Sequence, residues 1–293
     1  MPIHTVDLRE SISHLGFARS VSILALVMLL IPAIAHARAE IDPKVTLELY
    51  NDGCDSYEKG DFAGARDRFL AAALVKWKNP DLFYNLGNSY FRTGDLGRAI
   101  LYYERAKELA PRDDSITYNL HLAQSRIIDR IEPVEHNILA QLFIDIYSLF
   151  NPNEWSTISL SLYVTFMALA IAVILLRGEG DDPESSRSKR RKLLMRIAGA
   201  TLVLLLFSLT NTAIKIRSYN SLDDGIVVAD AVKARSGPGE KFAEVFELHS
   251  GSKVRVQTIT DGWYQISLES GLSGWLPGDS LEIISGAYGL EEA

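Results

Sequence analysis

The chain has 293 residues and a formal charge of −7, with 37 acidic against 30 basic side chains. An acidic balance lacks the basic face that phosphate backbones require, so nucleic acid is excluded as the expected partner. The single cysteine, Cys54, excludes an internal disulfide framework and a CxxC metal site. At ~100–200 residues per domain the length admits two small domains, and the apolar residues gather in three long blocks.

The first block is N-terminal. Arg9 and Arg19 precede the apolar run Val21 to Ala33, Pro32 breaks its end, and Ala35-His36-Ala37 or Ala37-Arg38-Ala39 offers small residues at cleavage-site spacing. Residues 1–39 therefore read as a signal peptide that exports the downstream chain. An uncleaved anchor is the alternative, disfavoured because the run is shorter than the ~20 apolar residues that span a bilayer.

A repeat comes next. Tyr-Asn recurs at Tyr50-Asn51, Tyr84-Asn85 and Tyr118-Asn119, always 34 residues apart, and on the same interval Gly53 maps to Gly87, Gly60-Asp61 to Gly94-Asp95, Ala65 to Ala99, Phe69 to Tyr103 and Ala72 to Ala106. A constant period of this size predicts stacked helix-turn-helix units, each burying its apolar face only against its neighbours. In the middle copy the order Phe83, Leu86, Gly87, Tyr90, Ala99, Tyr103, Ala106, Pro111 resembles the tetratricopeptide repeat at each of its signature positions. The predicted domain covers 40–132, with copies at 46–79 and 80–113 and a solvating cap at 114–131. The first copy departs from the pattern at Asp52 and Ser56, as suits a terminal unit.

Such an array binds other proteins. Tyr50, Tyr57, Tyr84, Asn88, Phe91, Arg92 and Tyr118, with Cys54 and Leu122, are expected to line its concave groove, where rings and amides hold a peptide; each ring has packing between helices as its alternative. Asn51, Asn85 and Asn119 stand where chaperone-binding members of the family carry a clamp asparagine. Tyr50 and Cys54 replace the clamp's other residues in the first copy, so a carboxylate clamp is not expected.

Residues 133–154 form an amphipathic linker in which Ile138 to Phe150 is apolar but too short to span; it lies in a membrane interface or packs under the solenoid. Two blocks long enough to span come after it, at 155–176 and 193–216. Between them the loop 177–192 ends in Arg187-Ser188-Lys189-Arg190-Arg191-Lys192, a basic run that holds short loops in the cytoplasm. Both flanking domains are then expected in the periplasm, with Trp155 as an aromatic anchor at the outer surface.

The last region, 224–286, reads as short strands with Gly, Asp, Ser and Pro breaks. Val232 with Ala234-Arg235-Ser236-Gly237-Pro238, the Leu248 to Gly251 turn, Gly262-Trp263-Tyr264 and Gly274-Trp275-Leu276-Pro277 resemble bacterial SH3-type domains. That resemblance implies a small all-β barrel, and Trp263, Tyr264 and Trp275 are its candidate surface for a protein or peptidoglycan ligand.

No HExxH, GxSxG, phosphate loop or Cys-His pair is present, so neither an enzyme, a metal nor a cofactor is expected. The expected fold is multidomain: an all-α tetratricopeptide solenoid, a two-helix transmembrane hairpin and a small all-β SH3-like barrel. This order of parts is similar to that of the BatE-type aerotolerance proteins. The resemblance implies a scaffold in the bacterial inner membrane, two-pass with both globular domains periplasmic, serving an envelope stress or aerotolerance complex. Its implied partners are von Willebrand factor A-domain membrane proteins and a MoxR-type ATPase. The alternative is a cell-wall sensor that binds peptidoglycan through the SH3-type domain.

Overall fold

The structure is a computed structural model that describes residues 43–74, 79–129, 137–177, 185–220 and 224–285. The expected signal peptide, residues 1–39, lies outside the described residues.

Five helices keep the 34-residue period: α1 (Pro43–Glu58), α2 (Phe62–Leu74), α3 (Pro80–Thr93), α4 (Leu96–Leu109) and α5 (Asp114–Gln124). Their ends are set by short polar side chains that satisfy the orphan amides of the first turn. Asn79 accepts from the amides of Asp81 and Leu82 at 2.7 and 3.3 Å. One period later Asp113 accepts from Ser115 and Ile116 at 2.8 and 3.2 Å. Gly94 closes α3 in the left-handed region at φ 90°, and Gly60 does the same for the turn after α1 at φ 80°.

Within each unit the two helices touch at a glycine. A Cβ added at Gly53 would lie 2.5 Å from the Phe69 ring, and one at Gly87 would lie 2.5 Å from the Tyr103 ring. Ala65, Ala99, Ala72 and Ala106 are fully buried at the neighbouring positions. The 34-residue identities are thus the contact points of the solenoid, where the side chain is absent or a methyl group because a ring fills the space.

Beyond the array come α6 (Ile138–Leu149), α7 (Pro152–Leu175) and α8 (Ser186–Asn220). Asn151 and Glu154 form a reciprocal capping box at the start of α7. The helix is tied to the α4–α5 loop, where Arg112 pairs with Glu154 and donates to the Leu149 carbonyl at 2.9 Å, and Asn151 donates to the Leu109 carbonyl at 3.0 Å. Between α7 and α8 a hydroxyl cluster supplies polar contacts in an otherwise apolar pair: Ser159 lies 2.8 Å from Ser208 and 3.0 Å from Thr212.

Two expectations change here. The second apolar helix begins at Ser186 instead of Leu193, because the basic run forms its first turns and does not interrupt it; only part of 177–192 is a connection. Trp155 is not a surface anchor. It is 3 % exposed, wedged edge-on against Phe150 and Phe207, with its indole N–H donating to the Tyr147 carbonyl at 3.3 Å.

The C-terminal strands β1 (Asp224–Val227), β2 (Ala231–Arg235), β3 (Glu244–His249), β4 (Lys253–Thr260), β5 (Trp263–Ser267), β6 (Ser273–Pro277) and β7 (Leu281–Ile283) form one antiparallel sheet in the order β3-β2-β6-β5-β4-β1-β7. Val227, Val232, Ala234, Val254, Val256, Ile266 and Leu276 fill its core. The alternation of Val254 and Val256 with exposed Lys253 and Arg255 is the two-residue period of a half-buried strand. The end strands β3 and β7 are not paired with one another among the described residues, so the structure defines a seven-stranded SH3-like sheet without showing a closed barrel.

The sheet packs on the array. Strand β1 meets α4, and the end of β7 is bonded to the same helix: Arg105, 6 % exposed, donates to the Ile284 and Ile283 carbonyls at 3.1 and 2.6 Å. Arg98 pairs with Glu282 at 2.8 Å, and Ser285 donates to Glu108 at 2.9 Å. Asp129 receives the His249 amide at 2.7 Å and the Ser252 hydroxyl at 2.5 Å, with the His249 ring nitrogen at 2.9 Å. The approach is close enough to need Gly97, where an added Cβ would sit 2.7 Å from the Val227 carbonyl oxygen.

Candidate functional site

The concave side of the array is built from first helices, α1, α3 and α5, which are joined by hydrogen bonds one repeat apart. Asn85 donates to the Tyr50 hydroxyl at 3.1 Å, and Asn119 to the Tyr84 hydroxyl at 2.9 Å. Burial, and after it the neighbouring Cys54, push the Tyr50 phenol up to about 12, so this acceptor stays neutral at physiological pH. Asn88 extends the network, accepting from the Tyr103 hydroxyl at 2.8 Å and from Asn119 at 2.9 Å.

Above these amides lies a cavity of about 170 Å³ lined by Tyr57, Asn88, Phe91, Arg92, Tyr103, Asn119 and Leu122. Two guanidinium groups stand over rings here: Arg92, in the cavity wall, lies 4.1 Å over the Phe62 ring, and Arg126 lies 4.6 Å over the ring of Phe91, itself a lining residue. Arg92 also interacts with Tyr57, whose phenol is raised by burial against the lowering effect of that cation. With the phenols neutral, the arginines carry the charge of this surface, and it suits an apolar side chain flanked by a carboxylate or a carbonyl.

Of the seven residues expected in the groove, Tyr57, Asn88, Phe91 and Arg92 come together there. Tyr50 and Tyr84 do not line it. Their hydroxyls accept the inter-repeat hydrogen bonds and their rings pack against Phe69 and Tyr103 at 5.7 and 6.0 Å. Tyr118 is 69 % exposed at the end of the array, outside the cavity. Leu122 lines the cavity, whereas Cys54 does not. Tyr103 and Asn119 were missing from the expected groove, although the period marked both. Tyr103 reads as a helix-crossing residue and Asn119 as an echo of a clamp, and the structure gives each a second role on the cavity wall.

The three aromatic residues of the sheet divide between its faces. Tyr264 packs with the core, on the side of buried Ile266. By alternation Trp263 and Gln265 on β5, and Trp275 on β6, take the other face. Trp275 is directly opposite Gln265, and Trp263 is opposite Pro277, so the two half-buried indoles lie diagonally on one outer surface.

With both geometries described, comparison with known families agrees with the division of the chain. Residues 50–114 match the family described as tetratricopeptide repeat, and residues 230–282 match that described as bacterial SH3 domain. Both are modules of protein interaction, and the second suggests cell-wall binding as well. Between them stand Pro152–Leu175 and Ser186–Arg217, two helices long and apolar enough to cross a membrane. No curated protein matches the chain.

Proposed function

We propose that the chain is a bacterial inner-membrane scaffold that presents its repeat groove and its SH3-type module to protein partners on one side of the bilayer. The observation that carries this reading is the docking of the sheet on the array, through Arg105 of α4 and through Asp129 in the segment after α5. The two apolar helices lie between these modules in the chain, so a bilayer crossed twice leaves both modules on the same side, as their contact requires. The basic run Arg187 to Lys192, of the kind that stays in the cytoplasm, supports a periplasmic location for that side.

Helix α6 adds to the membrane reading. None of its residues is buried; Ile138 is 87 % and Leu139 79 % exposed, yet Phe143 meets Phe207 of α8 edge-on at 6.2 Å. Its apolar surface continues that of the hairpin into the outer lipid interface. The order of modules resembles the BatE-type aerotolerance proteins, and the reading extends to a non-catalytic adaptor in an envelope stress complex with von Willebrand factor A-domain proteins and a MoxR-type ATPase.

The test is recovery of partners from detergent-solubilised cells by the full chain and by a Phe91→Ala, Arg92→Ala variant. Selective loss of a partner is expected, and equal recovery would remove the groove from the account. The second reading, peptidoglycan binding, is favoured by Trp263 and Trp275 on the outer face of the sheet. Co-sedimentation of the full chain with purified cell wall, compared with a Trp263→Ala, Trp275→Ala variant, tests it; identical sedimentation of the two retires it.

A further inference from the structure

The repeat-to-repeat hydrogen bonds end with one open half-rung at each side of the array. Asn85 reaches back to Tyr50 and Asn119 reaches back to Tyr84. Asn51, the first asparagine of the series, lies exposed on α1 and has no tyrosine before it among the described residues. Tyr118, the last tyrosine, is 69 % exposed on α5 and has no asparagine after it among the described residues. A donor without its acceptor stands at one end and an acceptor without its donor at the other.

We propose that these ends meet between chains: Asn51 of a second copy donates to Tyr118, so that the solenoid continues head to tail from one protein to the next. The occupant of the α5 flank is α1 of another copy because that helix carries what the next rung needs. It presents an exposed stripe of Leu47, Glu48, Asn51, Asp55 and Glu58, and α5 with its C-cap presents Ser115, Tyr118, His121 and Ser125.

A second series of contacts keeps the same step. Arg92 interacts with Tyr57, and Arg126 stacks on Phe91 at 4.6 Å. The offset that sets Asn51 against Tyr118 sets Glu58 against Ser125, beside the exposed Arg126. At this junction a carboxylate thus replaces the arginine of the inner rungs, and it faces a hydroxyl and a guanidinium in place of a ring. The charges are complementary, and the repeat-to-repeat interface is continued.

The tether favours the same contact. In a stack of helix pairs the loops leading from one pair to the next lie on one edge. The hairpin is fixed to such a loop through Arg112 and Asn151. On the membrane reading above, the stacking direction therefore runs along the bilayer, and two anchored copies offer α1 and α5 at one height. The contact is heterologous and does not close on itself, so it generates chains or rings instead of a two-fold dimer.

The experiment uses the full chain in its membrane, with Cys54→Ala removing the only native thiol. Glu48→Cys and Ser115→Cys are exposed positions related by the same offset, and they leave Asn51 and Tyr118 intact. A short bis-maleimide is expected to give a ladder of cross-linked species when both cysteines are present and none when either is present alone. Adding Tyr118→Ala or Asn51→Ala is expected to reduce the cross-linked fraction about fivefold, the worth of one hydrogen bond at the contact. Single-cysteine dimers would indicate a two-fold packing and overturn the proposal. So would absence of cross-links at cysteines that accept a monofunctional maleimide, or a ladder indifferent to Tyr118 and Asn51. Cross-linking that persists in detergent micelles supports the ladder even if the membrane reading fails.

Discussion

The side-chain amide of Asn119 donates to the hydroxyl of Tyr84 at 2.9 Å, 35 residues away in the chain and on the adjacent first helix in space. Asn85 and Tyr50 repeat the relationship at 3.1 Å. The Tyr-Asn pair that recurs through the sequence therefore joins one repeat to the next: its tyrosine faces the following repeat and its asparagine the preceding one. The partly buried polar groups satisfy each other, and they also fix the spacing of helices whose apolar contacts alone tolerate slippage.

Removing a rung should cost little, and removing its hub more. Tyr84→Phe deletes one acceptor but leaves Asn119 bonded to Asn88, so about 0.5–1.5 kcal/mol of stability is lost. Asn119→Leu breaks both of its bonds and leaves Asn88 and Tyr84 short of a partner, and the loss should exceed that of Tyr84→Phe by about 1 kcal/mol. Denaturant titration of the full chain in micelles, followed by helical circular dichroism, measures both.

Gly87→Ala tests the close crossing within a repeat. Alanine favours a helix by about 1 kcal/mol over glycine, yet its Cβ would lie 2.5 Å from the Tyr103 ring. The clash wins, since overpacking costs about 1–3 kcal/mol and the ring is held by Asn88. A net lowering of the unfolding midpoint is expected, and Gly87→Ala with Tyr103→Leu should recover part of it.

Arg105 holds the sheet to the array. Arg105→Ala strips a charged donor from the Ile283 and Ile284 carbonyls, a loss of roughly 2–3 kcal/mol at the junction. Hydrogen exchange should speed up in the amides of β1 and β7 while those of β5 and β6 stay protected. Uniform acceleration across the whole sheet would instead mean that Arg105 serves the fold of the module.

The junction should lose stability on both sides of a pH profile, for opposite reasons. Burial alone would raise the Asp129 carboxyl, but the Ser252 hydroxyl, the His249 amide and the His249 ring outweigh it and hold the group below its usual value. A depressed folded value stabilises above the unfolded value of about 3.9, and that contribution is lost as pH falls through the folded one. Glu108 is raised, by burial first and then by Glu104, against the lowering effect of the Ser285 hydroxyl. Its contribution is present below the unfolded carboxylate value and lost as pH rises through the folded one. Asp129→Asn should flatten the acid side of a stability profile, and Glu108→Gln the side above its raised value.

Membrane topology is read directly by thiol labelling in a Cys54→Ala background. Cysteines at Ser125 and Asp261, one in each module, should react with an impermeant maleimide added outside spheroplasts, whereas one at the exposed Ser186 should react only after lysis. Opposite labelling of the two modules would break the same-side reading.

Much of the chain was legible because its information is periodic and local. The 34-residue interval locates glycine against ring in each unit, the capping residues Asn79 and Asp113 start helices by satisfying their own nearby amides, and unbroken apolar length marks α7 and α8. The alternation that places Tyr264 on one face and Trp263 on the other was also present in the sequence, but which face is the core depends on what covers it. Contacts between residues without a shared period had no such trace. Arg105 against Ile283, Asp129 against His249 and Trp155 against Phe207 join segments that share no repeat, and each depends on a backbone approach that only the packed molecule supplies. Which helices and strands form, and close to where they end, is written in the order of the amino acids, because hydrogen bonds and burial patterns within a few dozen residues decide it. Packing alone settled that the sheet docks on α4 and that Tyr50 and Tyr84 serve the stack while Tyr57, Phe91 and Arg92 face the groove. Those outcomes are set by desolvation and shape across surfaces that no local pattern encodes.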